Sequence, residues 1–215
     1  MIGRILTVAA LLGLPAVSRA QDRLAGRLPE PAHAAVAALV DSARAAGLPT
    51  DPLVNRALEG AAKGADGQRI VAAVRALSAR LADARAALGA SASEAELVAG
   101  AAAVRAGAST AFLARLRREA PREPLVVPLA VMADLVARGV PADTAATSVL
   151  ALVRSGARDA DLVAFRENVE RDISLGAAGG AAASLRASDF AAVGVPVLNN
   201  GTGTSTTTPS IPRKP

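Results

Sequence analysis

Phe112, Phe165 and Phe190 are the only aromatic side chains in 215 residues, yet 52% of the chain is apolar. A core must therefore be filled by alanine and the aliphatic residues. Small side chains fill space only where backbones come close together, and packed helices bring them close. The aromatic residues that favour strands are nearly missing. Alanine, leucine and arginine all stand near the top of the helix-propensity order. The expected fold is all-α.

Periodicity places the helices. Apolar residues at helical spacing predict segments over 32–46, 51–63, 67–88, 93–106, 109–119, 125–138, 143–155 and 159–175, with a weaker ninth through 181–193. In the segment 67–88, Ile70, Val74, Leu77, Leu81, Ala84 and Leu88 step by four and three, forming a seam that packs on a neighbouring helix. Gly47, Gly64, Gly89, Gly107, Gly139 and Gly156 each follow such a stretch, where a left-handed residue closes a helix. Ser93 and Glu96 have the spacing of a capping box. Thr50 offers a capping side chain before Pro52 enters the first turn. Pro128 lies within an apolar run, so a helix either starts near it or is kinked there.

The pattern also repeats. Gly47-Leu48-Pro49-Thr50-Asp51 returns 92 residues later as Gly139-Val140-Pro141-Ala142-Asp143. The same offset maps Gly64-Ala65 onto Gly156-Ala157 and pairs Leu58 with Leu150, Ile70 with Leu162, Val71 with Val163, Leu77 with Val169 and Leu81 with Ile173. Val74 against Arg166 breaks the match. Segments 47–81 and 139–173 thus form an internal duplication, with Gly107-Ala108-Ser109 as a degenerate middle copy. Two architectures suit this pattern: stacked helical hairpins in a short α-solenoid-like array, or an irregular helical bundle.

Both ends differ from the middle. Residues 1–20 have Arg4 before an apolar run from Ile5 to Val17, then Ser18-Arg19-Ala20. These are the features of a signal peptide cut between Ala20 and Gln21. The run is shorter than the roughly 20 apolar residues of a membrane span. The mature protein is therefore expected to be exported, to the periplasm or outside the cell, with no transmembrane span after processing. Residues 21–31 are a lead-in. Gly176–Gly180 is expected to be a flexible Gly/Ala break ahead of the short helix, and Asn199–Pro215 a disordered Thr/Ser/Pro tail.

Chemistry-bearing residues are sparse. The chain has no cysteine, which excludes disulfides, thiol catalysis, thiolate-bound zinc and lipid attachment at an N-terminal cysteine. The formal charge is +5, or +3 once Arg4 and Arg19 leave with the signal. That mild excess, without aromatics to stack on bases, makes nucleic acid an improbable target. His33, the only histidine, is expected to be an ordinary surface residue, since catalysis needs a constellation of groups. Glu59 and Lys63 form a helix pair, and Gly60 between them suggests close approach of another backbone. Arg115, Arg117, Arg118 and Arg122 form the densest cluster of charge and the candidate interaction patch. Asp159, Asp161, Glu167, Glu170 and Asp172 cluster late in the chain, with the first two placed to favour a helix N-terminus. No catalytic, cofactor-binding or metal-binding residue is assigned, and no cofactor is expected.

From Gly47 to Gly64, the residues G-L-P, P-L and A-L-E-G-A-A-K-G resemble a segment of exported bacterial helical proteins with no assigned activity. The resemblance extends over about forty residues, to Leu88. It implies a shared helical module and carries over no functional residue. The expected function is a non-enzymatic, exported protein-interaction module of the cell envelope. Alternatives are a peripheral binder of anionic envelope surfaces through Arg-bearing helix faces and, more weakly, a carboxylate-dependent hydrolase. N-terminal sequencing of exported protein is expected to begin at Gln21; an intact Met1 would refute the signal.

Overall fold

The computed structural model describes residues 23–193, and among these it holds nine helices and no strand. The expected cut at Ala20 and Gln21 and the tail from Asn199 lie outside the described residues. In chain order the helices are α1 (Glu30–Ala45), α2 (Asp51–Ala62), α3 (Gly67–Leu88), α4 (Glu94–Ala106), α5 (Thr110–Glu119), α6 (Val126–Ala137), α7 (Ala142–Arg154), α8 (Asp159–Ser174) and α9 (Gly179–Val193). None of them is long and apolar enough to cross a membrane.

Local chemistry sets their ends. Asp66 and Ser109 accept the Arg69 and Phe112 amides and so cap α3 and α5. Ser93 and Glu96 form the expected capping box at α4. Thr50 departs from expectation: its backbone is already helical, at φ −94° and ψ −29°, and its side chain caps nothing. A capping side chain normally needs an extended backbone to turn back on the helix. Pro128 falls in the first turn of α6, so the helix starts beside it and no kink is required.

The Gly-x-Pro-x-Asp repeat has one physical meaning in both copies. Gly47 and Gly139 have φ of 66° and 90°. The next amides reach five residues back, Leu48 to the Ala43 carbonyl at 2.9 Å and Val140 to the Leu135 carbonyl at 3.0 Å. This is the Schellman closure, and Leu48 and Val140 are buried as its apolar partners. The same bond closes α2, α4, α7 and α8 from Ala65, Ala108, Ala157 and Ala177. Gly89 differs from expectation. Its φ of 90° is paired with ψ of 171°, outside the left-handed helical region, and its amide bonds only to Arg85.

Packing runs in two rows. Alternate helices α1, α3, α5, α7 and α9 touch in succession, and α4, α6 and α8 form a second row. Contacts of α3 with α4, α6 with α7 and α8 with α9 join the rows into one bundle, with α2 packed on α3. One apolar core runs from Leu24 to Ala187. Ile70, Leu150 and Leu162 are buried in it, and Leu58 packs against it half-buried. Along the seam of α3 only Leu77 is less than fully buried.

The duplicated units match closely in boundaries. A shift of 92 residues carries the ends of α1 and α2, Ala45 and Ala62, onto those of α6 and α7, Ala137 and Arg154, and the start of α3 onto that of α8. Their packing differs, because α2 lies directly on α3 whereas α7 and α8 barely touch and α9 packs on both. The stacked-hairpin expectation therefore holds for the first copy only. Two positions account for this. A Cβ added to Gly60 would lie 2.8 Å from Ile70 Cγ1, so only glycine admits α3 so closely. The close neighbour is a side chain, not the backbone expected from sequence. The counterpart of Gly60 is Leu152, fully buried, which cannot admit Leu162 in the same way. The counterpart of Ala84, buried within α3, is Gly176, at φ 97°, where α8 closes and the chain turns into α9. The expected flexible break is thus a closed turn.

Replacing Gly60 by Leu is expected to destabilise the protein by about 3 kcal/mol in urea unfolding, since overpacking outweighs the gain in helix propensity. Adding Ile70→Ala should recover part of that loss; strictly additive costs would show that the two positions do not meet.

Candidate functional site

The site is built from a buried ion pair outward. Glu96, which completes the capping box of α4, has both carboxylate oxygens occupied. Oε2 accepts the Ser93 amide at 2.8 Å and the Ser93 hydroxyl at 3.1 Å. Oε1 accepts the Leu125 amide at 3.0 Å and a guanidinium N–H of Arg117. Arg117 also donates to the carbonyls of Glu123, at 3.2 Å, and Ala120, at 3.4 Å. These bonds join the start of α4, the end of α5 and the start of α6, and they fix residues 120–125 between them. Burial pushes the Glu96 carboxyl upward, but the Ser93 and Leu125 amides and Arg117 outweigh it and hold the group below its ordinary 4.5.

Opposite this fixed loop lies the turn between α7 and α8. The two enclose an open groove of about 910 Å³. Pro121, Pro124, Val153 and Ala157 give it accessible apolar surface above the buried Leu125, Pro128 and Leu162, while Arg122, Glu123, Arg158 and Asp159 bring charge to it. Arg154 donates to Glu119 at 2.8 Å and so braces α7 against α5 along one wall. At the start of α8, Asp161 accepts the Arg158 amide at 2.9 Å. The amides of Asp159 and Ala160 precede the first intrahelical bond, as at any helix start.

The arginines of the candidate patch separate. Arg117 turns inward, with 19% of its side chain exposed, and serves the fold. Arg115, Arg118 and Arg122 are exposed, and none of them has an acidic partner among the described residues. The sequence carried a signal for this split, because Arg117 falls at helical spacing between Leu113 and Ala120, both buried.

The late acidic cluster is also dispersed by its partners. Arg166 donates to Asp134 of α6 at 3.0 Å and lies near Glu170 and Glu167, which, with Asp134 foremost, raise its pKa. Asp172 takes a two-pronged bond from Arg186 of α9, at 2.7 and 2.8 Å, which holds its carboxyl below the ordinary value. Asp161, Arg186 and Asp189 line a notch of about 40 Å³ between α8 and α9, with room for a few waters only. On α2, Lys63 and Arg56 hold Glu59 at 2.5 and 2.9 Å and lower its pKa. His33 is half-buried rather than on the surface, and its Nε2 is shielded, with no hydrogen-bond partner among the described residues. Among the described residues no group of three acids or histidines is placed to hold a metal ion.

No protein-family model, curated protein or solved structure matches the chain.

The Glu96 contacts contribute stability that is present above the ordinary carboxyl value of 4.5 and lost as pH falls through the lower folded value. Replacing Glu96 by Gln is expected to cost about 3 kcal/mol at neutral pH, because Arg117 is left partly buried without its counter-charge. The variant should also lose part of the wild type's fall in stability between pH 5 and pH 3. Equal acid sensitivity of the two proteins in urea titrations would show that Glu96 is not a main source of it.

Proposed function

We propose that this chain is a non-enzymatic, exported interaction module of the cell envelope, and that the groove between residues 120–125 and the α7–α8 turn receives an extended segment of a protein partner. The carrying observation is that one wall is fixed before any partner arrives. The Glu96–Arg117 contacts hold the loop in place, so little ordering cost falls on binding. Accessible Pro121, Pro124 and Val153 beside Arg122, with Arg115 and Arg118 exposed on the helix that leads into the loop, suit a segment with aliphatic side chains flanked by acidic ones.

Arg115, Arg118 and Arg122, without acidic partners among the described residues, favour a second reading, attachment to an anionic envelope surface. The two readings separate in one series of measurements. Reversing charge in Arg115→Glu, Arg118→Glu and Arg122→Glu together is expected to leave the melting temperature nearly unchanged. It should lower retention of a partner from envelope extract about tenfold or more, as loss of three exposed charges, one of them in the groove, implies. A photo-crosslinking side chain at Pro124 should mark that same partner. Retention untouched by charge reversal, or a crosslink to a different protein, would sink the groove. Sedimentation with vesicles containing anionic lipid, lost at high salt and in the triple variant, would favour the surface reading instead.

A further inference from the structure

Helix α9 stands between α7 and α8 and packs on both. What it buries is slight. Its fully buried side chains are Ala182, Ala183 and Ala187; Phe190 packs against the core only half-buried, and Leu185, the only large aliphatic side chain described on it, is 59% exposed. Each alanine withdraws one methyl group from water where a leucine would withdraw four carbons, so the hydrophobic hold on α9 is weak for a helix of its length.

Its seat is equally unusual. A Cβ added to Gly179 would lie 3.1 Å from the Gly139 carbonyl oxygen and 3.2 Å from the Val140 nitrogen, so the helix start rests on backbone. Beneath it, Ser148 offers its hydroxyl to the Ala183 carbonyl at 3.4 Å, a long bond. Ser148, like Asp172, is a group that water can satisfy if α9 withdraws. One strong polar contact crosses to α9, the two-pronged bond from Arg186 to Asp172. The chain enters α9 through Gly176, and Leu175 beside it is 81% exposed, so the connection adds little burial of its own.

We infer that α9 is a latched wedge: a helix that leaves and re-enters the space between α7 and α8 as a unit, without unfolding of α1 to α8, and whose closed position is set chiefly by the Arg186–Asp172 pair. The buried Phe165 on α8, which lines the seam together with Phe190 of α9, supplies the apolar surface that favours return. Cooperative opening of one weakly packed unit is how local stability varies within a folded chain. The inference is independent of the groove and its partner.

Native-state hydrogen exchange of the full chain tests it. Amides within 179–193 should exchange on the order of tenfold or more faster than those of α3, α4 and α7 under the same conditions. The variant Asp172→Asn should raise exchange in α9 about fivefold further, with α3 and α4 unchanged. Exchange of α9 at the rate of α7 overturns the wedge, because both would then open only together. Faster exchange of α9 that Asp172→Asn leaves unaltered removes the latch and overturns the inference as stated. So does a loss of protection spread evenly over α3, α4 and α9.

Discussion

Where Gly60 of α2 meets Ile70 of α3, an added methyl would lie 2.8 Å from Cγ1, and similar closeness recurs where Gly67 meets Ala32 and Gly100 meets Ala84. A chain so poor in aromatic side chains reaches interior density only by drawing its helices together until small groups touch. The two-row arrangement rests on these approaches. A glycine at a crossing gives up some helix propensity and gains proximity, and the exchange is favourable only where the facing side chain fills the space it leaves. The first copy of the duplicated unit does this at Gly60. The second carries Leu152 there, so its two equivalent helices stay apart and a third helix comes between them.

Charge has a different role, because half of the ion pairs among the described residues act between elements rather than along them. Glu96 with Arg117, Arg154 with Glu119, Arg166 with Asp134 and Arg186 with Asp172 each join two different helices, consecutive ones in the first and last pairs. Arg85 does the same through backbone, reaching the Gly47 carbonyl at 2.6 Å and so holding the α1–α2 turn against the end of α3. Arginine suits this work, since its planar fork satisfies several acceptors from one side chain. An arginine-rich composition is thus partly a structural provision, and only part of it remains at the surface for other contacts.

Much of the fold was legible before any coordinates. Helix ends fell within two residues of expectation because Schellman glycines and capping side chains are local signals, carried by adjacent residues. The capping box of Ser93 and Glu96 was legible for the same reason. The second use of Glu96 was not: Arg117 lies 21 residues away, and a tertiary pair leaves no local mark on the spacing of either residue. Thr50 was misread because serine-like capping depends on backbone angles that composition does not fix. The site was legible in its ingredients, Arg122 and Asp159 among them. Its assembly from two loops 30 or more residues apart depends on how the rows pack.

The closure at Gly176 reaches further than its own turn. Helix α3 runs for 22 residues and α8 for 16, so the later copy lacks roughly 9 Å of the length its template has. The chain turns back six residues sooner than in the first copy, and α9 enters the opening that the shortened copy and its bulky Leu152 leave. Shifted by 92 residues, α9 overlaps the loop after α3 and the first part of α4, so the segment after the long helix takes a different seat in each copy. One residue that ends a helix early redirects the chain, and one that holds two helices apart makes the place for it.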